Sequence, residues 1–547
     1  MQASAIPAET PQQTSVLIVG GGPVGLAMAL LLDRFQVPFV LVEKNATTTD
    51  HPKARGTWSR TMELFRQWGI EDKVRKRGLP NGATGFAFVE SVTGREYGRT
   101  PREPDLGQTS AWKCTASQDV VEEELLDAVR GTRIGQVLFS TEFVSHRETA
   151  ESVEVVLRDV ASGQERSLTA RYLVAADGAG SGVRRAAGIE MQGPAAMATM
   201  CNDYWQGDLS HIESAGNVAG YRLGPRADGV PGGTVLNTNG RDKWLTITRI
   251  GDEHCTDPRP WTDEEVVRNA RSHTGIPNLD VRLINRSIWR VSRQIAARYS
   301  SGRVFIVGDA AHRFPPSGGY GMNTGIQDAH NLAWKLALVL RGQAGPALLD
   351  SYGLERRPIA IANADFSFGN TMRFRRMEEA FRSGDADRIT FWVKDATHHS
   401  HSMGLGLGFS YDEGALIPDG TVKQAVRARW YEPSDRPGGR YPHMWLDLSR
   451  RHSTLDLFDK HFVLMVGPKA DAWREGARQA SARLGLPIES FQLESADSRD
   501  GLEMGPRGAV LVRPDGHVAM RMPWTPQDPA AALAKAMDGI LCREVVA

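Results

Sequence analysis

Cysteine is scarce in this chain: Cys114, Cys201, Cys255 and Cys542 are the only four in 547 residues, and no two of them stand in a C-x-x-C spacing. That scarcity excludes a cysteine-rich zinc site or a redox dithiol, and it suits a reducing, cytoplasmic compartment. Net charge is absent too. The 65 acidic residues balance 65 basic ones, so no overall field draws the chain to nucleic acid or to an anionic membrane. Long apolar runs are also missing, and the longest, Leu26 to Leu32, is far too short to cross a bilayer. The first fourteen residues are rich in Pro, Gln, Thr and Ala, lack the basic start and apolar centre of a signal peptide, and read as a disordered leader.

Glycine, by contrast, is plentiful. Gly20, Gly22 and Gly25 stand in G-x-G-x-x-G register directly after the β-branched run Val16 to Val19 and directly before good helix formers, Leu26 to Leu32. With 56 glycines in the chain, roughly 0.6 such triplets arise by chance, so the triplet means something only in its strand and helix context. Here the context is complete. The first glycine permits a tight turn, the second close approach to a pyrophosphate, and the third close packing of helix on strand. The helix N-terminus then offers free N–H donors and partial positive charge to phosphate. Glu43 closes the second strand 21 residues after Gly22, where a carboxylate accepts hydrogen bonds from ribose hydroxyls and repels a 2′-phosphate. FAD or NAD fits this cradle, and NADP does not.

Residues 51–60 read as a polar loop returning to the nucleotide, followed by a helix over Thr61 to Trp68 that stops at Gly69. Ser117 stands at the N-cap position of an amphipathic helix over residues 118–130, with Gly131 as its stop. Residues 190–300 hold short alternating runs such as Lys243 to Thr248, separated by Gly, Pro, Asn and Asp, which predict a mostly antiparallel sheet inserted into the first fold. A buried strand over residues 303–307 leads through a Gly-rich loop into a long helix, Asn323 to Leu340. His398, His399 and His401 lack a metal-ligand spacing and read as a solvated loop, so no metal is expected. Pro433, Pro437, Gly438, Gly439 and Pro442 mark a linker to a separate small α/β unit. Its strands fall at 462–466, 509–512 and 517–520, the last two joined by a type I turn with Pro514 and Gly516, and its helices at 471–484 and 530–541.

Three separated segments now line up: the Gly20 cradle with Glu43; Tyr172 to Ser181, containing Asp177 and Gly178; and Gly308 to Asn323, continuing through Asp328 and Asn331 to Lys335. Together they resemble the single-component FAD-dependent aromatic hydroxylases, the group A flavoprotein monooxygenases. With Arg440 to His443 and Leu511 to Gly516 included, the resemblance covers nearly the whole chain. It is most like the phenol, chlorophenol and hydroxyphenylpropionate hydroxylases and the polyketide hydroxylases, which share a thioredoxin-like C-terminal domain. The implied architecture is α/β: a leader over 1–14, a Rossmann-like FAD-binding domain over 15–189 and 301–429, a substrate-binding β-sheet domain over 190–300, and a thioredoxin-like domain over 430–547. Lacking a cysteine pair, that last domain is expected to pack, not to do redox chemistry.

The resemblance also implies site roles. FAD is held, non-covalently, by Gly20, Gly22, Pro23, Gly25, Glu43, Lys44, Gln118, Asp177, Gly308 and Asp309, with an arginine from the Arg55 to Arg60 loop. Gly318, Gly319 and Gly321 let backbone pass close to the flavin ring, Pro315 and Pro316 hold the loop rigid beside it, and the helix starting near Met322 and Asn323 aims its N–H groups at the ring edge. Pro315 and Asp177 are expected at the chemistry, with Asp177 also taking part in NAD(P)H use. In place of the family's arginine stands Gly180, and Arg184 is the candidate to replace it.

The implied reaction uses NADH or NADPH and O2 to hydroxylate a phenolic ring through a flavin C4a-hydroperoxide, in aromatic compound catabolism. A tailoring hydroxylase of a polycyclic natural product is the alternative, a non-catalytic flavin carrier a lesser one, and a flavin-dependent double-bond reductase the rival from another enzyme class. A base that deprotonates the phenol is expected in the inserted sheet, where His211, Tyr221 and Tyr204 stay unranked. His312 stands equally well as a structural residue or a cofactor contact. A homodimer is implied by the family alone.

Overall fold

The computed structural model describes residues 12–543 except 81, 82, 84, 213–216, 226, 227, 253, 256, 257, 397, 398, 400, 424 and 495–501. The apolar run at Val16 becomes the centre of a parallel sheet because both of its faces are covered, which is why it reads as continuously apolar and not as alternating. The Gln13–Val19 strand lies between Phe39–Val42 and Glu165–Ala175, with Ile18 opposite Leu41 on one side and Val174 on the other. Gly135–Leu138 and Val304–Ile306 extend the sheet outward, again in parallel. The Pro23–Arg34 and Tyr320–Leu340 helices pack on each other. Gly325 permits the contact, since a Cβ there would lie 2.6 Å from Val24 Cγ2.

Gln13 and Thr14 pair with Thr169 and Ala170 at the N-terminal end of this central strand. At these two residues the leader expected over 1–14 gives way to the sheet, because their partner strand lies far along the chain, where local composition cannot show it; residues 1–11 lie outside the described residues. The expected cap at Ser117 is present in position, yet its side chain makes no capping bond to the Gln118–Arg130 helix.

The second sheet has seven strands, in the order Arg282–Val291, Ala198–Gln206, Lys243–Asp252, Gly233–Asn237, Gly220–Leu223, Phe86–Val89 and Glu96–Arg99. All pairings are antiparallel except Gly220–Leu223 with Phe86–Val89, which run parallel. The sheet is thus mostly antiparallel, and it draws its last two strands from outside residues 190–300. Its own core is centred on Trp205 stacked on Trp244, with ring centroids 6.2 Å apart.

A four-stranded sheet, in the order Ile488–Gln492, Phe462–Val466, Ala509–Val512 and Val518–Met522, forms the C-terminal unit with the paired Asp471–Leu484 and Pro529–Ile540 helices. Ile488–Gln492 escapes a pattern reading because its middle is exposed and polar. The 430–442 stretch is not a free linker. Asp435, Arg440 and Tyr441 are buried, the Gly438 N–H donates to Val518 O, and Arg440 Nε donates to Glu63 Oε2 at 3.0 Å. A second buried cluster joins Glu355 to Arg513 Nη1 (2.7 Å) and Lys335 Nζ (2.8 Å). Removing one partner of such a buried pair typically destabilises by about 3–5 kcal/mol, so the C-terminal unit is welded to the cofactor half. No helix among the described residues is long and apolar enough to cross a membrane.

Candidate functional site

A cavity of about 2200 Å³ lies where the first two sheets meet. Its first wall is set by backbone. Gly20 has φ +111°, and a Cβ there would lie 2.3 Å from Ala176 O; a Cβ on Gly25 would lie 1.9 Å from Gly20 O. Neither position tolerates a side chain. A Cβ on Gly22, the N-cap of the Pro23 helix, would come no nearer to the surrounding protein than Glu122 Oε1 at 4.0 Å, which leaves the space beside it to a ligand. Glu43 faces the same space, its carboxylate fixed by the Gly21 N–H (2.7 Å) and the Asn45 N–H (2.9 Å). Lys44 and Pro23 line the cavity beside it, and Gln118 does so while donating to Glu122 Oε1 at 2.7 Å.

Deeper in, Asp177 Oδ2 accepts the Val183 N–H at 3.2 Å, while Oδ1 is buried without a partner. Asp309 opens onto the cavity with an exposed side chain, accepts no hydrogen bond from a described residue, and has its pKa raised by the low-dielectric walls around it. A Cβ on Gly321 would sit 3.7 Å from its Oδ1, so Asp309 stands at the start of the Tyr320 helix. Pro315, Pro316, Gly319, Gly321 and Met322 line this part. The loop is pinned by Ser367 Oγ, which donates to Pro315 O at 2.6 Å. Gly319, at φ +71°, is the left-handed N-cap of a helix with no acidic residue in its first turn, so that turn presents uncompensated N–H groups.

Gly25, Gly308 and Asn323 do not line the cavity. The two glycines allow close packing. Asn323 ties loops together, accepting from the Trp58 N–H (2.9 Å) and donating to Gly56 O (2.8 Å) and Gly319 O (2.7 Å). Arg60, expected at the cofactor, points away from it: Nη1 meets Glu63 Oε2 at 3.1 Å and Nη2 donates to Asp515 O at 2.7 Å. It belongs to the Ser59–Gln67 helix and faces the C-terminal unit, whereas Arg55, still in the loop, lines the cavity. Arg55 Nη2 donates to Ala219 O at 2.7 Å and Nη1 to Asn237 O, and burial without a carboxylate lowers its pKa to about 9. Arg184 does not stand in for the arginine missing at Gly180; it is buried against Ala310 O, and Arg185 and Arg313 line the cavity instead. His312 is structural, with Nε2 2.6 Å from Asp328 Oδ2 and its ring stacked on Phe314.

The second wall is built from side chains of the seven-stranded sheet and the Ser351–Ser383 helix. His211, Tyr221 and Tyr204 do not line the cavity; Tyr221 belongs to the core around Trp205, and Tyr204 lies behind His51 at 6.2 Å. Among the described residues the histidines that do line it are His51 and His399. His51 Nδ1 donates to Asn285 Oδ1 at 2.6 Å, leaving Nε2 buried and without a partner, and burial lowers its pKa. His399 is packed between Phe86 and Phe374, and His401 is buried with Nε2 on Pro101 O, so the solvated-loop reading fails for both; His398 lies outside the described residues. The partners of both histidines are remote in sequence, which hides the packing. Among the described residues no three His, Cys, Asp or Glu side chains group as metal ligands.

The first wall therefore fits a dinucleotide on four counts: glycines that admit no Cβ, an orphaned acceptor on Asp177, an unpartnered Asp309 carboxylate, and two helices with no acidic residue in their first turn. A family model described as FAD binding domain matches residues 13–367, and one described as aromatic-ring hydroxylase, C-terminal, matches residues 434–543. The chain is 36% identical to a 4-methyl-5-nitrocatechol 5-monooxygenase of a Burkholderia species, over 98% of this chain and 100% of that one. It is 35% identical to a tetracenomycin A2 monooxygenase-dioxygenase of Streptomyces glaucescens, with 97% of each covered. A crystal structure of the flavin-dependent monooxygenase PieE in complex with FAD and substrate matches with a TM-score of 0.90 at 32% identity, over 97% of this chain and 99% of that one.

Proposed function

We propose a phenolic ring as the substrate of this chain, which belongs to the single-component FAD-dependent aromatic-ring hydroxylases. It is a monooxygenase that uses FAD and a reduced nicotinamide nucleotide. The reading rests on one observation: a glycine and helix-terminus wall and an aromatic and arginine wall face each other across a single cavity, with the Pro315 to Met322 loop between them.

In this reading Glu43 accepts the adenosine ribose hydroxyls, the N-terminus of the Pro23 helix takes the pyrophosphate, and Asp309 accepts from the ribityl chain. When bound, FAD supplies hydride acceptance from the nicotinamide and activation of O2. The chain's own residues supply position and exclusion of water. The free N–H groups of the Tyr320 helix favour negative charge at the edge of the ring. Pro315, held by Ser367, keeps the loop beside the reacting atoms from yielding. His51 lines the cavity with a buried, unpartnered Nε2 that burial keeps neutral and so able to accept a proton. O2 as oxygen donor, a cytoplasmic location and a homodimer belong to the same proposal.

A second reading, a polycyclic substrate, draws on the 35% identity to a tetracenomycin A2 monooxygenase-dioxygenase over 97% of the chain. The deciding experiment is NADH and NADPH oxidation by the FAD-loaded protein, with oxygen uptake and peroxide followed together, across simple phenols, naphthols and polycyclic phenols. Stimulation by a small phenol with hydroxylated product equal to the oxygen consumed supports the first reading, and coupling only with larger rings supports the second. Bound FAD with no stimulated oxidation by any of them overturns both.

A further inference from the structure

The second wall carries an excess of positive charge that hydroxylation of a simple phenol does not require. Arg222, Arg249, Arg286, Arg290, Arg375 and Arg382 line it, and among the described lining residues of that sheet and helix Glu378 is the one carboxylate. Glu378 lies 3.9 Å from Arg249, and Arg286 holds Asp203 at 2.6 Å. Among the described residues Arg222 has no ion-pair partner, and Glu378 acts on it only at a distance. Its guanidinium lies 3.9 Å from the Phe374 centroid and 5.1 Å from that of Phe86. Nη1 donates to Thr234 Oγ1, 2.6 Å away on the neighbouring strand, and Nε is buried without an acceptor.

A desolvated guanidinium without a counter-charge is costly, and two aromatic faces offset only part of that cost. Burial lowers the Arg222 pKa to about 10, which leaves it charged at neutral pH. The bond to Thr234 occupies Nη1 and Nε is closed off, so Nη2 is the donor left over among the described residues, and a guanidinium N–H of this kind gives a charge-assisted hydrogen bond to an oxyanion. His399, packed on the same two rings, has its pKa lowered to about 3 by burial and so adds no second charge.

We infer that Arg222 determines specificity by binding an oxyanion on the aromatic substrate, either a ring carboxylate or an ionised second hydroxyl. This inference rests on the hydroxylase reading and narrows its substrate class.

The test titrates the FAD-loaded protein by flavin absorbance with matched pairs: hydroxybenzoates against hydroxybenzamides, and nitrocatechols, which ionise near neutral pH, against neutral catechols. The wild-type protein is expected to bind the anionic member of at least one pair about 10-fold more tightly. Arg222→Met should abolish that preference while changing the affinity for the neutral member little and the FAD-to-protein ratio not at all, and Arg222→Lys should restore part of it. No preference in the wild type, equal weakening of both members, or loss of FAD in Arg222→Met overturns the inference. Should Arg222→Met not fold, Arg222→Lys and the wild-type pairs decide. Neutral phenols that still stimulate NAD(P)H oxidation show that only the Arg222 inference has failed, whereas silence from every aromatic compound means that the hydroxylase reading has failed with it.

Discussion

The two walls of the cavity are made of different material. The cofactor wall is backbone: left-handed glycines, helix N-termini and carboxylates fixed by neighbouring N–H groups. The substrate wall is side chain: Phe86, Arg222, Thr234, Phe374 and His399 come from separate strands and helices and meet only in the fold. A backbone site has to be written as local residue spacing, because only particular residues accept the required φ or approach. A side-chain site can be assembled from any positions that face inward, so it leaves no local signature.

The sharpest way to break this contrast is Gly25→Val. With a Cβ only 1.9 Å from Gly20 O, it should destabilise the protein by about 3 kcal/mol or more and leave no flavin after gel filtration, and a flavin-bearing variant would show that the wall is not set by backbone. Next is Arg440→Met, remote from both walls, which should cost about 3 kcal/mol, read as a lower thermal midpoint, without changing which substrate is preferred. The other buried cluster sets an acid limit. Burial works to raise the Glu355 carboxyl, but Arg513 and Lys335 prevail and hold it at about 2, below its ordinary 4.5. Its stabilisation is therefore complete above about pH 4.5 and lost as pH falls toward 2; unfolding followed over that range should show the loss in the wild type and a flatter profile in Glu355→Gln.

Asp309→Asn tests the cofactor wall more gently. FAD affinity should fall about 10- to 100-fold by loss of a charged acceptor, while the thermal stability of the apo-protein changes little, because Asp309 is exposed and accepts no hydrogen bond from a described residue. Phe374→Ala should have the smallest effect and confine it to the other wall: KM raised about 10-fold by loss of the aromatic contact, with flavin content unchanged. A loss of flavin there would erase the distinction between the walls.

Much of the fold was legible in the sequence. The strand, glycine turn and helix over residues 15–43, the Phe462–Val466 and Ala509–Val512 strands, and the long helix into Leu340 all follow from apolar periodicity and turn residues. What was not legible depends on distant partners. Arg60 looks like a continuation of the Arg55 loop until the helix turns it toward Asp515, and Arg440 sits in a Pro- and Gly-rich stretch whose burial depends on Glu63, 377 positions away. His399 reads as polar surface because neither Phe86 nor Phe374 is near it in the sequence.

The parallel pairing of Gly220–Leu223 with Phe86–Val89 decides how this enzyme can be recombined. A substrate domain exchanged as residues 190–300 alone would leave two of its seven strands behind in the donor and take their places from the recipient. Unless those strands matched, the grafted Gly220–Leu223 strand would present an open edge, a template for aggregation. A chimera that moves residues 86–99 together with 190–300 keeps the sheet closed by its own neighbours. The inheritable unit of substrate choice is therefore two pieces of sequence and one piece of structure.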